Sequence, residues 1–436
     1  MFRGATTWLP GLRRLGLLAL LLAALAGRAQ PTLPPAGSFS FARVGQQQAR
    51  IRFFTQRNLI IIAAHLNGRG PYNFLLDTGV ASCLLTDAAL ADSLHLHHGT
   101  EYRVLGAGGS ETGVTAYEAD SVHVSLPGGV QASRLHFLVL GTDALDLSGY
   151  VGLPIHGIIG AEFFRSFTVA IHPQRFELQV YQPAAFRQPR GRRWERLPLR
   201  FAQEKPYVEA TVQQLGLPGG PTAELPLQLL LDTGAGHALS LETTADRRLH
   251  LPPTCLRSDL GRGLTGVISG SLGRVAAVRL GRYQLPQVLT SFPDSSQVHQ
   301  RLPAAERRIR HGNLGYEVLK RFECVIDYPR QQLLLRPTAA LREPFEHDMS
   351  GLDLLATGPK LRNYLVQRVL PGSPADDAGI LPQEELVSIN FVPVTGYSIT
   401  EVNHLLHSED GRLLLLVLRR PNGKLHPTAV RLKRRI

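Results

Sequence analysis

The sequence predicts a mostly β protein in which one lobe is built twice and a smaller α+β domain follows. Three observations carry this. Leu75-Leu76-Asp77-Thr78-Gly79 returns as Leu230-Leu231-Asp232-Thr233-Gly234, an offset of 232 − 77 = 155. Apolar segments are short and rich in β-branched residues, and 42 glycines and 30 prolines punctuate them, the texture of strands and turns. From Leu361 the pattern changes to alternating strands around two short helical stretches.

Composition excludes several classes. With 44% hydrophobic residues and a mean hydropathy of −0.03, the chain can bury a core and is not a disordered polymer. Its glycines have no collagen period. The net charge of +12 lacks the aromatic-interleaved basic motif of nucleic-acid binders, so no nucleic-acid partner is expected. Three cysteines are an odd number without a CxxC pair, so at least one thiol stays free. No His/Cys cluster has ligand spacing, and neither a metal nor an organic cofactor is expected.

At the N-terminus, Arg3, Arg13 and Arg14 precede an apolar run from Leu15 to Ala26, followed by small residues. The run is too short to span a bilayer comfortably, and the pattern is that of a signal peptide over 1–29. Export to a periplasm or the cell exterior is expected, with no stable membrane span after cleavage.

Lobe one is expected over 30–185, a linker over 186–206 and lobe two over 207–337. The offset holds well beyond the Asp-Thr-Gly triplets. Leu84 and Leu94 map to Leu239 and Leu249, and Gly106 and Gly108 to Gly261 and Gly263. His156-Gly157, Gly160 and Glu162 map to His311-Gly312, Gly315 and Glu317. Residues 58–62, 74–76, 207–212 and 227–231 read as strands. Thr168–Val180 and Cys324–Leu335 read as strand pairs turning at Pro173 and Pro329. Short helices are expected at Thr86–Ser93 and Ala161–Arg165, with counterparts in lobe two. The prolines and glycine of 183–198 mark the connector.

Each Asp-Thr-Gly ends an apolar strand, which puts a carboxylate at the mouth of a buried strand. The glycine permits a tight turn and leaves an N–H free for that carboxylate. Two such turns related by duplication can face each other, and like charges that close share one proton. The ionised carboxylate is then a general base toward water and the protonated one a general acid toward a carbonyl.

On these residues the two lobes resemble retropepsin-like aspartic proteases joined in one chain. Gly157-Ile158-Ile159-Gly160 and Gly312-Asn313-Leu314-Gly315 resemble the apolar-apolar-Gly segment of that fold. Gly106-Ala107-Gly108-Gly109 resembles a flap tip, with Gly261-Arg262-Gly263 at the matching place in lobe two. The resemblance covers roughly 55–337 and implies β-barrel lobes and an endopeptidase acting on peptides or proteins. Asp77 and Asp232 would form its dyad. Thr78 and Thr233 would tie the turns together, and Gly79 and Gly234 would shape them. The departures are Val80 and Ala235, where pepsin-like enzymes often carry a hydroxyl. Losing a donor to the carboxylate raises its pKa, which points to activity at mildly acidic to neutral pH. The intrachain dyad implies a monomer. The alternative is a peptide-binding adaptor that kept the fold without turnover.

Residues 350–436 resemble a PDZ domain of the bacterial type, on Val369-Leu370-Pro371-Gly372-Ser373-Pro374-Ala375, Ala378-Gly379-Ile380 and Val387-Ser388-Ile389-Asn390. Gln383-Glu384 departs from the usual Gly-Asp. The resemblance implies capture of a C-terminal peptide by strand addition. Lys360, Leu361, Arg362, Asn363 and Tyr364 would form the carboxylate loop, and the helix from Thr400 the opposite wall. His156 and His311 are expected to pack beside the Gly-x-x-Gly segments, Cys83 to be a buried small residue, and His95, His97 and His98 to be a solvated loop.

Overall fold

The computed structural model describes residues 37–104, 108, 113–141, 143, 145–215, 224–264, 266–294 and 298–436. The signal peptide expected over 1–29 and the flap residues Gly106, Ala107 and Gly109 lie outside them. Strands dominate, in three sheets.

The duplication is visible in the strand registers. In lobe one, Arg69–Leu76 delivers Asp77. It runs antiparallel to Leu59–Leu66 and parallel to Gly157–Ile159, with Leu75 opposite Ile158. Gly157–Ile159 pairs antiparallel with Cys83–Leu85. In lobe two, Glu224–Asp232 runs antiparallel to Lys205–Gln213 and parallel to Gly312–Gly315, with Leu230 opposite Asn313. Gly312–Gly315 pairs antiparallel with Leu239–Leu241. Both aspartate strands are buried on both faces at their ends (Phe74, Leu75 and Leu76; Leu229, Leu230 and Leu231). Continuous apolar runs are what such doubly covered strands require.

Thr168–His172 pairs antiparallel with Phe322–Asp327 and joins the lobes, and Ala170 lies opposite Val325, its own counterpart under the 155-residue offset. The pseudo-two-fold axis passes through that pair. On the lobe-one side follow Glu177–Tyr181 and Gln48–Arg52. On the other side Gln332–Pro337 and Glu195–Ala202 do the same. The linker expected over 186–206 therefore contains a strand, Glu195–Ala202, the partner of Gln48–Arg52 in this symmetric sheet. Its proline is tolerated because Pro198 sits where the strand changes neighbours. Glu195 to Pro198 pair with Leu335 to Gln332, and Leu199 onward with Val208 to Lys205. A missing N–H costs least at such a changeover.

The helices differ between lobes. Ala88–Ser93 is helical and capped by Asp87, whereas its expected counterpart at 243–248 forms turns. Thr243-Thr244 replace two alanines there, and the Asp246 carboxylate takes the Arg248 N–H at 2.8 Å. Poorer propensity and a competing local bond explain the loss. Ala161–Ser166 does have a counterpart, Tyr316–Leu319. One hydrophobic core runs through both lobes, and a separate one around Met349, Tyr364, Leu386 and Val402 fills the C-terminal domain.

In that domain the sheet order is Leu352–Thr357, Asn363–Val369, Glu385–Ile389, Leu413–Arg419, Leu425–Arg431. The first and last of these strands were not expected from the sequence. Helix Ile399–Leu406 opens on a capping box between Ser398 and Glu401, worth about 1 kcal/mol.

Candidate active site

The two Asp-Thr-Gly turns meet. The Thr78 hydroxyl donates to the Leu231 carbonyl at 2.5 Å and accepts the Thr233 N–H at 3.1 Å. Reciprocally, the Thr233 hydroxyl donates to the Leu76 carbonyl at 2.9 Å and accepts the Thr78 N–H at 3.1 Å. Both threonines are wholly buried. Four crossed bonds thus fix the separation of the strands that carry Asp77 and Asp232.

Each glycine N–H reaches back to its own aspartate, Gly79 to Asp77 Oδ1 at 2.6 Å and Gly234 to Asp232 Oδ1 at 3.1 Å. The carboxylates also crowd the opposite turn. A methyl on Gly79 would lie 3.0 Å from Oδ1 of both aspartates, and one on Gly234 would lie 2.2 Å from Asp77 Oδ2. These two positions need glycine for space. Burial, then the Asp232 charge beside it, pushes the Asp77 carboxyl up to about 8, against the lowering pull of the Gly79 and Gly234 N–H groups. The causes at Asp77 are its burial and its neighbour's charge, not the residues Val80 and Ala235 on which the sequence expectation rested.

Asp232 has a partner that Asp77 lacks. The Asn313 side-chain amide donates to Asp232 Oδ2 at 2.6 Å. At the equivalent lobe-one position stands Ile158, 6% exposed. Sequence reasoning took Gly312-Asn313-Leu314-Gly315 as a pattern match and missed this residue. The available signal was a polar side chain in an otherwise apolar repeat.

Among the lobe-two flap residues, Gly261 sits at an irregularity of the hairpin Cys255–Gly263 and Gly266–Leu280, with φ +150°. Gly263 pairs with Gly266 beside its end. Arg262 Nη1 reaches across to Asp146 Oδ2 of lobe one at 3.8 Å, and Leu264 packs on the lobe-one cluster that holds Leu147 and Tyr150. Gly108 of lobe one is buried with φ +133°.

The auxiliary residues have structural partners. His311 Nδ1 accepts the Gln228 N–H at 3.1 Å. The His156 ring lies against Tyr72, and burial pushes its pKa down. Cys83 is buried with Glu162 Oε2 3.4 Å from its sulfur, and burial together with that carboxylate pushes the thiol well up. Such a thiol is not a nucleophile. His98 stacks on Tyr117.

The peptide-binding residues expected in the C-terminal domain need correction. Asn363 and Tyr364 begin a strand that already has a neighbour on each side, Leu352–Thr357 and Glu385–Ile389. Lys360, Leu361 and Arg362 lie in the hairpin turn before it. The Arg362 guanidinium and the Tyr364 hydroxyl both donate to the Tyr397 carbonyl, at 2.7 and 2.6 Å. No strand can add there. The open edge is Leu352–Thr357, with helix Ile399–Leu406 as the facing wall.

Lobe one fills that edge. Helix Leu147–Val151 packs on Leu352–Thr357. A methyl on Gly152, the C-cap of that helix, would come within 2.9 Å of Ile399 and 3.6 Å of Ala356. The Arg57 guanidinium donates to the Leu354 carbonyl at 2.6 Å, and its backbone N–H donates to the Thr400 hydroxyl at 3.0 Å. That hydroxyl in turn bonds the Gln56 side chain. On the next strand, Arg368 forms a 2.6 Å ion pair with Asp259 of the lobe-two flap hairpin.

Comparison with known proteins gives two family matches. Residues 62–163 match the family model described as aspartyl protease, and residues 365–420 the one described as PDZ domain. The chain carries a retropepsin-like aspartyl-protease domain and a PDZ domain. The second Asp-Thr-Gly lies outside the matched residues and is tied to the first by the repeat and the crossed threonine bonds. No curated protein matches. Among solved structures, a photosystem II D1 C-terminal processing protease is similar at 25% identity over 19% of this chain, with a TM-score of 0.18. The match spans 22% of that protein's length.

Proposed function

We propose that this chain is an exported, monomeric aspartic endopeptidase whose PDZ module regulates or recruits. The observation that supports it best is the paired Asp-Thr-Gly turns, bound by four crossed threonine bonds with both carboxylates flanking Gly79. A carboxyl pair that shares one proton has both halves of the chemistry. The ionised member takes a proton from water as the water adds to the peptide carbonyl, and the protonated member donates to the carbonyl oxygen. The proton then passes to the leaving amine. Export rests on the arginine-flanked apolar run near the N-terminus.

For the PDZ module, regulation is favoured over simple recruitment because its free edge is filled by lobe one. A peptide adding to Leu352–Thr357 has to displace Arg57 and the helix Leu147–Val151. The same helix is capped by Asp146, which Arg262 of the lobe-two flap approaches. Peptide capture would thereby loosen the flap.

The deciding experiment is cleavage of a diverse peptide pool from pH 3 to 8 by the mature protein, Asp77→Asn and Asp232→Asn. Cleavage by the parent alone supports the intrachain dyad. Folded protein with no cleavage in any of the three favours the peptide-binding adaptor instead.

A further inference from the structure

Two equal lobes give two equivalent carboxylates that can hold their shared proton either way round, and a difference between the lobes biases which one holds it. The residue that makes them differ is at position 313. We propose that Asn313 places the negative charge of the pair on Asp232 and leaves Asp77 as the proton donor. This rests on reading the pair as a proteolytic dyad only for its kinetic consequence; the charge placement stands separately.

The argument is geometric. Gly79 and Gly234 each give one backbone N–H to Oδ1 of their own aspartate; the Gly234 N–H also favours the charged form of Asp77, but burial and the Asp232 charge outweigh it there. The residues after the glycines, Val80 and Ala235, offer no hydroxyl in either lobe. What remains is the 2.6 Å bond from Asn313 Nδ2 to Asp232 Oδ2. Its lobe-one equivalent Ile158 has only hydrocarbon to offer. A donor aimed at a carboxylate oxygen favours the charged form, and an apolar neighbour favours the neutral one.

Asn313 is held in place for this. Its strand, Gly312–Gly315, is paired on both sides, with Leu230 and Ser240 opposite Asn313 itself. The Asn313 Oδ1 is buried with no hydrogen-bond partner among the described residues. Turning the amide over would aim that oxygen at Asp232 Oδ2, an arrangement that only a protonated Asp232 tolerates. The amide therefore responds to which aspartate carries the proton, which a packing residue does not. Burial favours the neutral form of the other titratable groups that face the pair among the described residues. Burial holds His237, beside Asp232, below its usual pKa and pushes the Tyr328 phenol, beside Asp77, well above its own. Neither supplies the asymmetry.

The test is an NMR titration of the mature protein carrying ¹³Cγ-labelled aspartate, with Asp77 and Asp232 assigned through Asp77→Asn and Asp232→Asn. In the parent, Asp232 should ionise first and Asp77 last. In Asn313→Ile, which copies lobe one, Asp232 should titrate higher by about one pH unit, and the acidic limb of kcat/KM should move up with it. Asn313→Ser, a smaller donor, should restore part of the gap. If Asn313→Ile does not fold, Ile158→Asn decides, because it should lower the Asp77 titration. The proposal is overturned if Asp77 ionises first in the parent, or if the order and spacing are unchanged in the folded position-313 or position-158 variant. A parent that titrates in the expected order but cleaves no peptide refutes the protease reading and leaves the charge placement intact. Cleavage with two equal titrations does the reverse.

Discussion

The raised Asp77 carboxyl has a consequence for stability that can be measured without substrate. Its value moves from 3.8 unfolded to about 8 folded. The folded state thus keeps a proton that the unfolded chain releases. A group of this kind stabilises fully below the unfolded value, and its contribution is lost as pH rises toward the folded one. At about 1.36 kcal/mol per pH unit, the loss between pH 4 and pH 8 has a ceiling of roughly 5 kcal/mol. Asp77 is partly exposed, and water there screens the charge, so roughly 2–3 kcal/mol is the expected loss. The perturbation is Asp77→Asn, an uncharged mimic of the protonated carboxyl, which should remove that slope. Buried His347 and half-buried His407, held down to about 4, impose the opposite slope as pH falls below 6.5. They do so in parent and variant alike and cancel in the difference. The assay is denaturant unfolding of both proteins at half-unit steps from pH 4 to 8. The variant should gain on the parent steadily with pH. Parallel curves, or a parent that gains on the variant, would refute the reasoning.

The other expectations are briefer. In activity, kcat/KM should fall as pH rises through about 8, where Asp77 loses its proton; a plateau to pH 10 would contradict that. Thr78→Val keeps the shape but strands the buried Leu231 carbonyl and Thr233 N–H, costing about 2–4 kcal/mol in the denaturant midpoint. Gly234→Ala puts a methyl 2.2 Å from Asp77 Oδ2, so the folded variant should lose at least ~100-fold in kcat/KM through a displaced carboxylate. A double-mutant cycle of Arg368→Ala and Asp259→Ala should give a coupling of ~0.5–1 kcal/mol that vanishes in 1 M salt. Faster amide exchange in the hairpin of residues 255–280 should accompany the Arg368 change.

Much of the site was legible because its chemistry is local. Asp-Thr-Gly ends an apolar strand twice, and the triplet contains the carboxylate, the cross-linking hydroxyl and the spacing glycine. The helices that failed to repeat were also legible in principle, since Thr243-Thr244 stand where Ala88-Ala89 do. What could not be read locally was adjacency. Glu195–Ala202 looks like a proline-bearing connector until Gln332–Pro337 lies beside it. Lys360 to Tyr364 look available for a peptide until Leu352–Thr357 takes the outer position. A strand's own pattern gives its two faces but not whether its edges are free, because pairing partners come from distant sequence.

The departures from symmetry share one direction. Duplication alone builds two equal lobes around the Ala170–Val325 pair, and equal lobes leave the shared proton and the two flaps without a bias. At the carboxylates the difference is Asn313 against Ile158. At the short helices it is Leu147–Val151, which packs on the edge of the PDZ sheet, against its offset counterpart Ala304–Arg307, which buries Glu306 on Lys205 and Tyr207. At the flaps it is Asp259, which Arg368 grips from the PDZ domain. The PDZ module therefore touches the helix of one lobe and the flap of the other. On the proposed regulatory reading, a ligand that shifts this module would move both contacts at once without approaching Asp77 or Asp232.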